Sequence, residues 1–417
     1  MKKILLLLLI SGLFISSIGV AAEKKVTLRF ANWGSTEKAT GDVFKKMIAD
    51  FEAQNKNIKI ESVSFPYGDI KQQVLVMSLG GDVLDIVQAE RAMVDSYIGS
   101  GIVSDIDRYF SKAYLNDFYP NVLKDLRSGG KLYAIPWIAS PWVLVYNKEL
   151  FVKAGLNPNE PPKSMDQLLD YATKLGKIKD KDGNPVYGLG ETTGLVPISG
   201  SSIYRVMLSF GGGIWNKKGK VMVNTKANID AFKYLKSIND NKLNPENAKL
   251  KDLRNLMAIG RLGMYFDQAW GTGGVLGINP GIKSQLGLAP LPATSATSGI
   301  SNLNAHTLCI LKASKYKKEA AKFVEFITSK DTLTNLYKQT PFFAPRMSID
   351  NLPDFHDAFL KGAKDGMKQI VPLSKQHPNY ENAYLELVKA AQMVTLGAAT
   401  PEAAVKELEA KLQVVLK

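Results

Sequence analysis

Gly130-Lys131-Leu132-Tyr133-Ala134-Ile135-Pro136 and, a little further on, Val143-Leu144-Val145-Tyr146-Asn147-Lys148-Glu149-Leu150-Phe151 are the stretches on which the fold turns. Residues 132–135 and 143–146 are apolar and aromatic runs of strand length, interrupted by Pro136 and Pro141. Proline cannot donate to a strand ladder, which argues against a place in the middle of a sheet. The two runs therefore read as chain crossing between two bodies. Gly129-Gly130 marks the change of texture just before them.

On both sides the pattern alternates strand and helix. Val26-Thr27-Leu28-Arg29-Phe30-Ala31 predicts a strand that ends at Asn32-Trp33-Gly34. Phe44, Met47, Ile48 and Phe51 then fall at i, i+3, i+4 and i+7, one apolar helix face. Residues 58–65 predict a second strand, 70–79 a helix and 83–87 a short buried strand. Such units imply an α/β protein with a largely parallel sheet and helices on both faces. A second α/β stretch runs to about residue 291, followed by a small-residue segment at 292–301 and the strand-like Thr307-Leu308-Cys309-Ile310-Leu311. The tail is helical, with Ala320, Phe323, Val324 and Ile327 on one face. Thr400-Pro401-Glu402 is a helix start with Thr as N-cap, and Val405, Leu408, Leu412 and Val415 form that helix's buried stripe.

The first residues speak to location. Lys2 and Lys3 precede the apolar run 4–10, and Val20-Ala21-Ala22 sets small residues before Glu23-Lys24-Lys25. This is the layout of a signal peptide at 1–22, cleaved after Ala22. Its apolar core is shorter than the roughly 20 residues a bilayer-spanning helix needs. The expectation is export to the periplasm, without a lipid anchor, since no cysteine lies near Ala22. Cys309 is the only cysteine, so neither an intramolecular disulfide nor a thiolate metal site is available. It reads as a small core hydrophobe.

The formal charge is +14, of which Lys2 and Lys3 supply two. The lysines are spread along the chain among Asp and Glu, and no nucleic-acid motif accompanies them. They read as a solvated surface, with no nucleic-acid partner. His306, His356 and His377 are scattered, and neither HExxH nor paired-cysteine spacing occurs, so no metal and no cofactor is expected. Gly271-Thr272-Gly273-Gly274 matches neither GxGxxG nor a phosphate-binding loop. Ser35-x-x-Lys38 and Ser314-x-x-Lys317 have a serine-acylase spacing but lack the accompanying motifs.

Several motifs together carry a family resemblance. They are Phe51-x-x-Gln54-Asn55-x-x-Ile58, Asp85-Ile86-Val87 with Tyr97-x-x-Ser100-Gly101-x-Val103, the opening stretches quoted above, Ala154-Gly155-Leu156 with Pro162-Lys163-Ser164, Gly260-Arg261-Leu262-Gly263-Met264 and Ala289-Pro290-Leu291-Pro292. In this order the chain resembles the extracellular solute-binding proteins of ABC importers, in the sugar-binding group that includes maltose-binding protein. The resemblance implies a two-lobed periplasmic-binding-protein (Venus-flytrap) fold with hinge strands and discontinuous lobes. It places residues 23–138 plus 301–331 in the N-terminal lobe and 139–300 plus 332–417 in the C-terminal lobe. It implies a monomer that binds a carbohydrate and meets the membrane permease subunits of an importer, without being an enzyme.

In an open α/β sheet ligands sit beyond the carboxyl ends of the strands. That rule points to Trp33, to Gln88 and Glu90 with Arg91, and to Trp137. Sugars stack an apolar face on an aromatic ring and present hydroxyls that need polar partners. The expected ligand-binding residues are accordingly Trp33, Tyr67, Gln88, Glu90, Trp137, Trp215, Asp267, Trp270 and Asn304, with Gln268 and His306 beside them. Trp270 occupies the place where the resembling group has a sugar-stacking tryptophan, whereas Trp142 reads as core. Where that group has a sugar-binding glutamate this chain has Ser140, which departs from a maltose-like specificity. Three alternatives stay open. A polyamine could use Asp267, Glu90 and Glu191; a phosphorylated polyol would need basic groups, of which Arg91 and Arg346 are visible; a secreted glycosidase would need two flanking carboxylates.

Overall fold

The computed structural model describes residues 25–417 apart from 38–39, 181, 339–341, 356–359, 361–363 and 373–376. The expected signal peptide and His356 lie outside the described residues. Eight strands carry the architecture: β1 (Val26–Asn32), β2 (Ile58–Ser64), β3 (Ile86–Glu90), β4 (Ile135–Asn147), β5 (Tyr187–Gly190), β6 (Leu262–Gln268), β7 (Leu286–Ala289) and β8 (Ser301–Ile310). They lie in the order β2-β1-β3-β8-β4-β6-β5, with β7 also on β4.

The ends of this sheet are parallel, β2-β1-β3 on one side and β5-β6 on the other. Its centre is antiparallel, because β8 returns against both β3 and β4 and β4 runs against β6. The sheet is therefore mixed and not largely parallel as periodicity predicts. The long β4 pairs with β8 through Pro141 and with β6 from Trp142 onward. It serves both halves of the molecule, and so does β8 beside it.

Both prolines sit inside this central strand, contrary to the rule applied to the sequence. The reason is local. The β8–β4 register shifts between His306 and Thr307, which leaves a bulge next to Pro136. Pro141 stands where β4 changes partner, and the following Trp142 amide donates to Ser301 Oγ at 2.9 Å. Interrupted ladders of this kind tolerate a missing donor.

Helix α1 (Gly41–Gln54) buries Phe44, Met47 and Phe51 as its periodicity requires. Helices α2 (Ile70–Leu79) and α3 (Arg91–Gly99) complete the first lobe's βαβ units. In the second lobe α4 (Pro197–Ser209), α5 (Lys226–Asp240) and α6 (Leu250–Ala258) are joined by the C-terminal α7 (Tyr380–Thr395) and α8 (Pro401–Val415). Thr400 caps α8, its Oγ1 accepting from the Ala403 amide at 3.2 Å. Val405, Leu408 and Leu412 are buried beneath it. Cys309 is fully buried in β8, and burial pushes its thiol up to about 12.

Contacts of the stretch 342–350 cross the expected lobe limits. The stretch 342–350, expected in the C-terminal lobe, packs on first-lobe residues. Arg346 Nε donates to Asp117 Oδ2 at 2.8 Å, and the Tyr119 hydroxyl donates to Asp350 Oδ2 at 2.7 Å. Among the described residues no helix is long and apolar enough to cross a membrane.

Candidate functional site

A cavity of about 350 Å³ opens where the two lobes meet over the central strands. Its walls come from three sources. The first lobe supplies Trp33, Glu37, Tyr67 and Glu90; the second supplies Val196, Ile198, Lys249, Arg254, Gln268 and Trp270 among others; Ser140, Asn304 and His306 come from β4 and β8. The volume is at the small end of ordinary ligand pockets, about 300–1,000 Å³.

The centre of the site is an imidazole between two indoles. His306 meets Trp33 at 5.1 Å between ring centroids and Trp270 at 5.3 Å, both edge-to-face. Tyr67 closes on Trp33 at 5.4 Å, again edge-on. Edge-to-face pairs are the favoured arrangement of aromatic quadrupoles. Because His306 is enclosed by these rings, burial lowers its pKa to about 4 and keeps the imidazole neutral.

Sheet register explains which side chains reach the floor. His306 stands opposite Glu90 on one side and Ile138 on the other, and Asn304 stands opposite Ser140. Partners across a ladder share a face, and Glu90, Ser140, Asn304 and His306 look into the same cavity. Glu90, at the end of β3, accepts a long 3.4 Å hydrogen bond from the Tyr67 hydroxyl. Burial raises the Glu90 carboxyl to about 7, against the opposing pull of that bond, Arg91 and Lys71. The charge on Glu90 in turn holds the Tyr67 phenol well above its usual range. Burial also raises Glu37, with Arg254 across the cleft acting the other way.

Of the nine residues expected to bind ligand, the structure brings Trp33, Tyr67, Glu90, Trp270 and Asn304 to this cavity. Four stand elsewhere. Gln88 is 1% exposed, and its Oε1 accepts from the amides of Trp33 and Gly34, 3.1 Å each. It fixes the loop that carries Trp33 and does not line the cleft. Asp267 is fully buried behind the wall, accepting from Arg254 Nε at 2.7 Å and Nη2 at 2.9 Å. It holds Arg254 in place. Trp137 is buried one residue out of phase with Ile138 and Ser140, and packs against Phe44 at 5.5 Å. Trp215 donates from Nε1 to the Tyr380 hydroxyl at 2.6 Å and lines a separate cavity of about 210 Å³.

Other expectations resolve in the same way. Trp142 is core, as expected, with Arg205 5.8 Å above its ring. Glu191 is buried on Arg205 and Tyr234, so it offers no charge to the cleft. Arg91 is buried between Asp95 and Asp125, and Arg346 is tied to Asp117. Glu37, Lys249, Lys251 and Arg254 were not singled out from the sequence. Their only signal is that Lys249 and Lys251 open a helix, where Asp252 accepts from the Lys249 amide at 2.9 Å. Among the described residues no cluster of His, Cys, Asp and Glu could hold a metal ion.

Two α/β lobes on shared central strands, with an aromatic and hydrogen-bonding cleft between them, define a protein that binds a small solute. The chain belongs to the bacterial extracellular solute-binding protein family, whose model matches residues 34–333. It is 26% identical to a Brucella abortus (strain 2308) protein given a binding role by name alone, over 98% of each chain. It is also 26% identical to the arabinooligosaccharide-binding protein of Bacillus subtilis (strain 168), over 65% of this chain and 62% of that one. Among solved structures, an ABC-transporter solute-binding protein of Thermotoga lettingae bound with alpha-D-tagatose superposes with a TM-score of 0.82. That pair is 23% identical and covers 94% of this chain and 100% of the other, a likeness of fold.

Proposed function

We propose that the protein captures a sugar or oligosaccharide in the inter-lobe cleft and delivers it to the permease of an ABC importer. It would do so in the periplasm, as a monomer and without turnover. The observation that carries this reading is the Trp33–His306–Trp270 trio, with its two indoles on different lobes. A ring-shaped ligand touching both would favour the closed arrangement of the lobes over the open one. The arabinooligosaccharide-binding relative and the tagatose-bound structural neighbour support the ligand class. The lobes we propose are 23–138 with 301–350, and 139–300 with the remaining C-terminal chain.

A calorimetric screen of mono- and oligosaccharides on the protein lacking residues 1–22 tests the reading. Binding of at least one sugar at micromolar concentration is the expected result. If no carbohydrate binds at millimolar concentration while another solute does, the sugar assignment is lost and the transport role remains. One observation favours a second reading, a phosphorylated polyol: Lys249 and Lys251 join Arg254 in the wall. The same three cations weigh against a polyamine.

A further inference from the structure

Three polar atoms on the cavity floor have no hydrogen-bond partner among the described residues. They are Ser140 Oγ, Asn304 Nδ2 and His306 Nδ1, all buried. Ser140 is 2% exposed and Asn304 4%. Buried polar groups are normally paired, so three orphans on one face of two adjacent strands, in one cavity, call for an explanation. The orientation of Asn304 is set by its neighbours. Asn302 Nδ2 donates to Ser201 Oγ at 2.7 Å, and that hydroxyl donates to Asn304 Oδ1 at 3.1 Å. With its oxygen occupied, Asn304 has an N–H left to give. Ser140 stands directly opposite it and can donate or accept. His306, two positions along β8, adds one ring nitrogen.

We propose that Ser140, Asn304 and His306 form a specificity floor that takes adjacent hydroxyls of an uncharged terminal sugar ring seated over His306, against Trp33 and Trp270. This rests on the sugar-binding reading above and narrows it. Side chains directly opposite across an antiparallel pair have Cβ atoms about 5 Å apart. One ring with neighbouring hydroxyls can therefore engage Ser140 and Asn304 together. None of the three groups supplies charge, since the imidazole is held neutral. A phosphate at this depth would be desolvated without a cationic partner on the floor, so any anionic end of a ligand would face the outer wall. Because the floor belongs to the strands that serve both lobes, ligand identity is read at the hinge itself.

The test uses Ser140→Ala, His306→Phe and Asn304→Leu, titrated by tryptophan fluorescence with D-glucose, L-arabinose, maltose and arabinobiose. The tightest binder among these is then compared with its terminal-ring deoxy form. Each variant should weaken that sugar by about 5- to 100-fold, the range for leaving a hydroxyl unpaired. The deoxy sugar should lose the same factor on the wild type and little more on Ser140→Ala. Ser140→Ala and His306→Phe should melt no lower than the wild type, because each removes an unpaired buried atom. Unchanged affinity in Ser140→Ala and His306→Phe would overturn the floor while leaving sugar binding intact. A wild type that binds none of the four sugars would overturn both.

Discussion

Trp270 reaches the cleft from the short turn after β6, meets His306 edge-on and lines the cavity. It remains partly exposed, unlike Trp137 and Trp142, which are sealed in the core. Trp270→Ala should weaken sugar binding by about 1–3 kcal/mol, the scale of a well-packed aromatic contact. Unliganded stability should change little, whereas truncating a fully buried tryptophan costs about 3–5 kcal/mol. Normal affinity with a collapsed melting temperature would place Trp270 in the core. Glu90 gives a second prediction. Its folded pKa of about 7 lies above the ordinary 4.5, so the folded state holds the proton more tightly than the unfolded one. The stability this group contributes is complete below about pH 4.5 and is lost as pH rises through about 7. Glu90→Gln removes that loss. The variant should melt higher than the wild type at pH 8, and the gap should close on acidification to pH 4. A gap that is independent of pH would show that Glu90 titrates normally.

At the scale of elements, the structure separates what periodicity can encode from what it cannot. Helix α8 was legible because its start is a local event: Thr400 accepts from Ala403, and Pro401 has no amide to satisfy. Thr400→Ala should cost about 1 kcal/mol in chemical denaturation, and a loss below 0.2 kcal/mol would show the cap to be dispensable. Helices α1 and α2 were legible for the same reason, through the spacing of Phe44, Met47 and Phe51 and the limits of the run 70–79. Strand direction was not. Whether β8 returns antiparallel to β3 depends on a partner more than two hundred residues away, as in His306 against Glu90. The candidate site divides along the same line. Trp33 and Glu90 follow strand ends and reach the cavity, but Gln88 and Asp267 occupy equally plausible positions and turn inward to hold Trp33 and Arg254. Arg254 itself was invisible, since nothing in Leu253-Arg254-Asn255 distinguishes a cleft arginine from a solvated one.

The whole molecule is basic, with a formal charge of +14, yet its cleft is closer to balanced. Lys249, Lys251 and Arg254 face Glu37 and Glu90, and Asp267 compensates Arg254 from behind. The lobes also meet beyond the cavity lining: Lys71 of α2 pairs with Glu381 of α7, and Ser96 Oγ donates to the Pro378 carbonyl at 2.9 Å. The two lobes thus share contacts outside the cavity lining. Ionic strength then distinguishes the candidate ligands. Surface charges more than about 8–10 Å apart are largely screened at physiological salt, and an uncharged ring has no charge to be screened. Affinity for a sugar should therefore vary less than about twofold between 0.05 and 0.5 M salt, any residual change reporting on the Lys71–Glu381 pair, whose net worth is at most about 1 kcal/mol. A phosphorylated polyol drawn to Lys249 and Lys251, or a polyamine drawn to Glu37 and Glu90, should instead lose tenfold or more over the same range. Calorimetric titration at the two salt concentrations, on the wild type and on Glu381→Gln, separates the contributions. A steep salt dependence that survives in Glu381→Gln would mean that the ligand itself carries charge.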